Sequence, residues 1–161
     1  MKLLISLITA FQLVTITAPV KVSRQNEGIG IIEPLILAYD AMYTGNKEPE
    51  KDYIILDMES LFFTDTTVED RQKAIQYFQK YNKPVLNASV VTLQQIGLAD
   101  SVGELKINAH LLMLSKVDSV SLGNLVIEGY KWFSPNSYTH FRVGIEKVNN
   151  KWKVTKVDIL K

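Results

Sequence analysis

Few residues of this 161-residue chain combine a chemically useful type with the spacing that a catalytic or metal site needs. His110 and His140 are the only imidazoles, and neither has a second ligand at metal-binding spacing. Strand alternation places both on the face opposite the apolar one, so we interpret them as surface histidines. The sequence therefore predicts no metal site and no cofactor.

Three carboxylates are the remaining candidates for acid–base work. Asp57 and Glu59 are two residues apart and would point to the same side of a strand, although we favour loop carboxylates or helix caps. Asp40 lies between Tyr39 and Tyr43 in sequence, but helical periodicity turns it away from the apolar stripe. The sequence has no nucleophile elbow, phosphate loop, zinc helix or calcium loop, which favours a non-enzymatic protein over an enzyme.

The first residues of the chain indicate export. Residues 1–18 carry one lysine ahead of an uncharged apolar run, which is typical of a secretory signal and shorter than a membrane-spanning helix. Ala18 suits a cleavage site but Pro19 hinders cleavage, so the segment is either a signal peptide or an uncleaved N-terminal anchor. Polar residues 19–28 then form a tether. We expect an extracytoplasmic protein, secreted or membrane-anchored, that touches a membrane only through this segment if it stays uncleaved.

Composition excludes further functions. The chain has no cysteine, which excludes disulfides and thiol catalysis and, in an exported domain, suits a bacterial source. Residues 47–70 carry eight acidic and two basic residues, whereas residues 131–161 carry two acidic and seven basic ones. The two regions either attract each other in the folded chain or leave a basic sheet for an acidic envelope polymer or anionic lipid. The formal charge outside the signal segment is zero, so nothing predicts nucleic-acid binding.

Three helices are predicted before residue 100. Apolar side chains recur at helical spacing over residues 31–43. A second helix over 68–81 starts at a capping box on Thr66 or Thr67, and a short third one over 90–96 starts at Ser89. The inner stripe of the second helix is Val68, Ala74, Ile75, Phe78 and Tyr81. The apolar run over 53–58 is either a strand or a buried turn.

Residues 103–161 alternate as a four-stranded antiparallel meander. The first strand, over 103–116, turns one apolar set inward: Leu105, Ile107, Ala109, Leu111 and Met113. The next strands cover 125–133 and 139–148, and a turn at Asn149-Asn150 leads into the fourth. That turn pairs Ile145 with Val154. A one-residue bulge near 155–156 then sets Val143 opposite Val157, Phe141 opposite Ile159 and Arg142 opposite Asp158.

The second hairpin predicts a candidate interaction face. If Ile127 pairs with Ile145, then Trp132 meets His140 and Tyr130 meets Arg142, while Lys131 turns inward near the end of the sheet. The resulting amphipathic aromatic face contains Val126, Tyr130, Trp132, His140 and Arg142. The alternative is an ordinary exposed sheet face that bears aromatic residues because strands favour them.

The order of these elements, with the ending Val148-Asn149-Asn150-Lys151-Trp152-Lys153-Val154, resembles the NTF2-like (cystatin-like) α+β fold. The resemblance covers residues 29–160 and implies a curved sheet that wraps a long N-terminal helix. We therefore predict a single domain over residues 29–161 of the α+β class, with N-terminal helices packed on one face of a curved four-stranded antiparallel meander.

The family resemblance implies little about function, because this fold hosts enzymes, binding domains and assembly components. From the residues, we predict an exported non-enzymatic domain that acts in protein interaction or self-association at the cell envelope. Its expected partner is a second copy of the chain or an envelope protein. The alternative is a cone-shaped pocket between the first helix and the sheet that binds a small molecule or acts as a hydrolase or isomerase.

Overall fold

The computed structural model describes residues 31–160, so the predicted signal segment and tether lie outside the described residues. The described chain has the predicted α+β class: three helices alternate with two short strands, and four long strands follow. Its helices are α1 (Ile32–Thr44), α2 (Val68–Phe78) and α3 (Val90–Gln95), with 3₁₀ turns at Leu61–Phe63 and Gln79–Tyr81.

All three predicted helices are present, and α2 and α3 start at the predicted caps. The Thr67 side chain accepts from the Asp70 amide and closes a capping box with it, and Ser89 accepts from the Thr92 amide. Within the predicted stripe of α2, Ala74 and Phe78 are buried, whereas Val68 is 80% exposed. Val68 is the first residue of the helix, and it lies before the turn that contacts the core.

The sheet has six strands rather than the predicted four, and it is mixed rather than antiparallel. The strands are β1 (Tyr53–Leu56), β2 (Val85–Asn87), β3 (Ala109–Ser121), β4 (Asn124–Ser134), β5 (Ser137–Val148) and β6 (Lys151–Leu160). Their order is β2-β1-β3-β4-β5-β6. Strand β1 pairs in parallel with β2 and β3, and the strands from β3 to β6 form the expected antiparallel meander.

The two faces of the sheet are covered unequally. Helices α1 and α2 pack on the inner face and bury the main core, which includes Tyr39, Met42, Phe78 and Phe141. On the outer face, α3 and the segment after it cover β1 and the start of β3 with a smaller cluster around Leu93. Beyond that cover, the outer face of β4, β5 and β6 carries half-buried and exposed side chains.

The predicted facing of β3 is wrong. Leu112 and Leu114 contact the main core, while Ala109 and Leu111 contact the cluster under α3, so both faces of this strand are buried at its start. The strand also begins at Ala109 rather than at residue 103. A strand covered on both sides loses the alternation that distinguishes inner from outer. His110 was expected on the surface and is instead 4% exposed.

The β5–β6 hairpin has the predicted register. Ile145 pairs with Val154, and beyond a register shift Val143 pairs with Val157 and Phe141 with Ile159. Arg142 also lies opposite Asp158, as expected. The hairpin turns at Asn149 and Asn150, whose φ values are 50° and 62°. This is the left-handed region that asparagine tolerates better than most residues.

The β4–β5 hairpin differs from the prediction by two residues. Leu125 rather than Ile127 pairs with Ile145, because the chain turns tightly between Ser134 and Ser137. A shift of two residues exchanges cross-strand partners but leaves every side chain on its predicted face. The five residues of the candidate interaction face therefore lie on the same face as predicted, but their cross-strand partners differ: His140 lies opposite Tyr130 rather than Trp132.

Candidate functional site

The five residues of the candidate interaction face lie together on the outer face of β4 and β5. Gly129, between them in sequence, faces the opposite way: a Cβ there would lie 2.7 Å from the Met42 sulfur of α1. Since strand side chains alternate, Tyr130 and its even-numbered neighbours on β4 point away from α1. In the β5 register, His140 lies opposite Tyr130 and therefore shares its face.

Four aromatic rings form a continuous array on this face. Tyr130 stacks on His140 with ring centroids 4.5 Å apart, and Trp132 stacks on Tyr138 at 5.7 Å. Tyr130 and Tyr138 join the two pairs edge to face at 5.4 Å. These are the arrangements that aromatic quadrupoles favour. Tyr138 was missed in the sequence because the predicted strand began at residue 139, whereas β5 begins at Ser137. The predicted contact between Arg142 and Tyr130 is replaced by a contact between Arg142 and Glu128.

A row of alternating charges crosses the outer face beside the rings. Lys116, Glu128, Arg142 and Asp158 lie side by side on the four antiparallel strands. The Arg142 Nη2 atom lies 2.8 Å from Glu128 Oε1, and His140 Nε2 lies 3.6 Å from Glu128 Oε2. Glu128 thus holds Arg142 by a hydrogen-bonded ion pair and lies close to His140. The row carries balanced charge and can discriminate between partners without attracting every ion of one sign.

An open groove of about 600 Å³ lies beside the array, at the turn between β4 and β5. Two tyrosine rings and the His140 ring form one wall, the Pro135-Asn136 turn closes one end, and the end of β6 forms the rest. Its lining residues are Tyr130, Pro135, Asn136, Tyr138, Thr139, His140, Ile159 and Leu160. The lining combines aromatic surface with hydrogen-bonding groups and contains no carboxylate.

Trp132 is part of the aromatic array and also contributes to the packing of the outer face under α3. Its indole Nε1 donates to the Gly103 carbonyl at 3.2 Å, and its ring packs against the cluster under α3. Tyr138, by contrast, is 50% exposed. A ligand on this face would therefore meet Tyr138 first, while Trp132 fixes the array to the covered part of the sheet.

The Asp57–Glu59 region forms a helix cap. The Glu59 carboxylate accepts from the Ser89 amide at 3.0 Å and from the Thr92 hydroxyl at 2.6 Å, at the start of α3. The Ser89 hydroxyl also donates to this carboxylate, and it lowers the pKa of Glu59 together with the Thr92 hydroxyl and the Ser89 amide. Asp57 accepts from the Glu59 amide at 3.2 Å, and burial raises its pKa. The helix-cap interpretation is confirmed for Glu59.

Asp40 joins α1 to α2. Its carboxylate accepts from the Tyr81 hydroxyl at 2.5 Å and the Tyr77 hydroxyl at 3.2 Å, and it lies 2.8 Å from the Lys80 ammonium. Burial and the neighbouring carboxylate raise the pKa of Tyr81. The carboxylate thus contacts α2 and the 3₁₀ turn after it, and it holds α1 and α2 together.

A buried polar cluster occupies the inner face where α1 ends. The Lys131 ammonium donates to the Tyr43 carbonyl at 3.0 Å and to Asn46 Oδ1 at 2.9 Å, and lies 3.4 Å from Glu48 Oε2. His110 Nδ1 lies 3.9 Å from the same carboxylate oxygen. Lys131 was expected to turn inward near the end of the sheet, but no sequence signal indicated His110 or Glu48 as its neighbours.

The environment of the cluster lowers the pKa of both its bases. Burial lowers the pKa of Lys131, although Glu48 opposes this effect. Burial, reinforced by the charges of Lys131, Lys51 and Lys83, lowers the pKa of His110 to about 4. An amine, a carboxylate and a neutral imidazole are groups that transfer protons in enzymes. Here Lys131 and His110 are 2% and 4% exposed, so a substrate does not reach them in this conformation.

The alternative prediction was a small-molecule pocket between α1 and the sheet. Side chains fill part of this space. Ile127 and Phe141 are fully buried there, and α1 approaches so closely that only a glycine fits at position 129. Trp152 is half-buried against the same core, whereas Leu111 lies on the opposite face. The described chain is therefore packed around Ile127 and Phe141, whereas a cavity of about 390 Å³ opens beside Ile36 and Trp152.

Comparisons with known proteins give no relative for this chain. No family model matches it, and no curated protein or solved structure does so either. Over residues 31–160, no cluster of three or more histidine, aspartate or glutamate side chains is arranged to hold a metal ion. No helix within the same residues has the length and apolar character to cross a membrane. The NTF2-like resemblance remains a prediction from element order.

Proposed function

We propose that this chain is an exported, non-enzymatic domain of the NTF2-like type that binds a protein partner at the cell envelope. The contact is the outer face of β4 and β5. The observation that carries the proposal is the stacked array of four rings beside an open groove of about 600 Å³.

The chemistry of the face suits a protein surface. Tyrosine, tryptophan and arginine are enriched in the centres of protein interfaces and supply much of their binding energy. The rings of Tyr130, Tyr138 and His140 are already held by stacking, so binding costs little side-chain entropy. The neighbouring Glu128–Arg142 ion pair provides a polar border that constrains the orientation of a partner.

The location and the non-enzymatic role are proposed from separate observations. The apolar segment over residues 1–18 supports export. The carboxylates that were candidates for catalysis serve the fold instead, with Glu59 capping α3 and Asp40 joining two helices. Binding is the function that the remaining accessible groups support.

A photo-crosslinking amino acid placed at Tyr138 in the native host tests the proposal. We expect a discrete adduct with one envelope protein, and we expect that purified protein to bind the full chain. Replacing Tyr138 and His140 together by alanine should weaken this binding about tenfold or more, because both side chains lie in the proposed contact. Since Tyr138 is half exposed, the fold should persist, which circular dichroism checks.

Tyr53 is the matched control for the crosslinker, since it is also an exposed strand tyrosine but lies in β1. The same probe at Tyr53 should not yield the adduct. Identical adducts from both positions, or a partner that binds the double-alanine variant as tightly as the original, would contradict the proposal.

A further inference from the structure

Strand β6 is a long edge of the sheet. It is the last strand in the order and runs for ten residues, whereas the opposite edge, β2, has three. Its apolar side chains remain accessible, with Val154 at 38%, Val157 at 39% and Ile159 at 51% exposed. An edge of this length presents unpaired backbone donors and acceptors, and natural proteins either protect such edges or use them for pairing.

The bulge in β6 gives this edge an unusual symmetry. Gly144 pairs with Lys156 and Ile145 with Val154, so Thr155 is the extra residue. A Cβ on Gly144 would lie 3.0 Å from Thr155 Oγ1 and 3.5 Å from Lys156 Cβ, so both side chains of the bulge lie on the outer face. As a result, side chains of the inner face lie at equal distances on the two sides of the bulge: Val154 and Val157 are next to it, and Trp152 and Ile159 are two residues further out.

Those mirrored positions make β6 complementary to itself. When a second β6 runs antiparallel with its bulge opposite this bulge, inner residues meet inner ones: Trp152 meets Ile159 and Val154 meets Val157. On the outer face, Lys153 meets Asp158. Thr155 of each copy then lies opposite Lys156 of the other, so the bulge that interrupts pairing with β5 does not interrupt pairing with a second copy.

Other registers lose this match. A shift of one residue sets inner side chains against outer ones everywhere except at the bulge itself. A shift of two residues in one direction sets Lys153 against Lys156, and like charges directly opposite are destabilising. In the other direction, the same shift sets Lys156 of the outer face against Val157 of the inner face.

We propose that two copies of this chain pair antiparallel along β6 in that one register and join their six-stranded sheets into a single sheet. The pairing is isologous, so each contact occurs twice about a two-fold axis. This inference concerns the edge of the sheet and does not rest on the function proposed for the outer face of β4 and β5.

The lysines of β6 favour pairing with a second copy of the chain over pairing with other strands. Lysine on an edge strand deters pairing with foreign strands. In the proposed register, Lys153 gains Asp158 of the second copy, and Lys156 already lies 2.9 Å from Asp158 of its own strand. The same side chains therefore repel strands that lack an acid at the matching position and accept a second β6.

Cysteine crosslinking tests the register without background, because the chain has no cysteine of its own. Full chains carrying Val154→Cys and Val157→Cys, with different tags, are mixed and oxidised. We expect mixed disulfide dimers, since directly opposed Cβ atoms lie about 5 Å apart. Mixing Val154→Cys with Asp158→Cys should crosslink about tenfold more slowly, because those positions point to opposite faces. Equal rates in the two mixtures would overturn the proposed register.

Sedimentation of the full chain tests the association itself. We expect a dimer that Lys153→Glu weakens about tenfold, because this change replaces the ion pair with Asp158 by a repulsion. Lys147→Glu is the control, since it makes the same charge change in the same hairpin but on β5. A monomer at every concentration, or equal weakening by both variants, would overturn the proposal. Partner binding at Tyr138 is measured in a separate experiment. Failure of the β6 dimer can therefore be distinguished from failure of the proposed partner binding.

Discussion

Lys131 shows how this protein keeps a charge inside its core. The last carbonyl groups of a helix have no partner within the helix, and a cation near them is favourable. The Lys131 ammonium reaches the Tyr43 carbonyl in the last turn of α1, and Asn46 and Glu48 complete its surroundings. The buried lysine therefore terminates α1 and ties it to β4, which explains a cluster that resembles a catalytic one without being accessible.

Gly129 sets how closely α1 approaches the sheet. A Cβ at this position would lie 2.4 Å from the Met113 carbonyl oxygen and 2.7 Å from the Met42 sulfur. Because the carbonyl belongs to the backbone of the adjacent strand, the strand itself must move to admit a methyl group. We expect Gly129→Ala to lower the free energy of unfolding by about 1 to 3 kcal/mol in a urea titration.

Gly144→Ala is the matched comparison for this prediction, since Gly144 lies in the neighbouring strand on the outer face. Its Cβ would meet the Thr155 hydroxyl at 3.0 Å, and a side chain yields more readily than a backbone carbonyl. The loss of stability should therefore be smaller there. Equal stability of Gly129→Ala and the original chain would show that α1 can move away from the sheet at little cost.

At the scale of single elements, the β5–β6 turn is specified by two adjacent asparagines. Both have positive φ, as a two-residue turn between right-twisted strands requires. We expect Asn150→Gly to preserve or raise the midpoint of thermal unfolding. Asn150→Ala should lower the free energy of unfolding by about 1 to 2 kcal/mol, because alanine has no side chain that relieves left-handed strain. Indistinguishable glycine and alanine variants would contradict a turn set by backbone conformation.

Sequence predicts a strand and its register well where one face is apolar and the other polar, and where the neighbouring strand is close in sequence. The β5–β6 register followed from one short turn and one break in alternation, both visible in sequence. Strand β1 gave no such signal, since Ile54, Ile55 and Leu56 are all fully buried and its neighbours are parallel. Its partners β2 and β3 are reached only through long connections, which leave no local pattern.

The candidate interaction face was predictable in membership but not in contacts. The parity of Tyr130 and His140 placed both on the outer face, and a two-residue error in register preserved that result. The stacked pairs depended on the length of the turn after Ser134, which sequence did not fix. His110 shows the limit of parity, because it lies on a strand whose second face is also buried.

At the scale of the whole molecule, the unequal cover of the sheet decides which surfaces are available. Helix α3 and the residues after it cover the outer face over β1 and the start of β3, and their cover ends at Trp132. An antiparallel sheet tolerates one uncovered face, whereas parallel strands are found covered on both faces. The parallel part of this sheet is thus enclosed, and the antiparallel part keeps a free face and a free edge.

Stability of the whole chain should depend on His110 between pH 6.5 and 4. Its pKa is about 4 in the folded protein against an ordinary value of 6.5, so in this range the unfolded chain binds the additional proton. Stability is therefore fully present above about pH 6.5 and is lost as the pH falls toward 4. The shift corresponds to roughly 3 kcal/mol. Urea unfolding at a series of pH values measures the slope.

Replacing His110 by glutamine should flatten that slope, because glutamine does not titrate. The titratable groups that face the imidazole are Glu48, Lys131, Lys51, Lys83 and Tyr43, and none has an ordinary pKa between 4.5 and 6.5. Glu59→Gln is the control: the pKa of Glu59 is lowered from 4.5, so its stabilisation is lost only at more acidic pH. An unchanged slope between pH 6.5 and 4.5 in His110→Gln would mean that the folded protein admits a proton to this imidazole, and with it water to the end of α1.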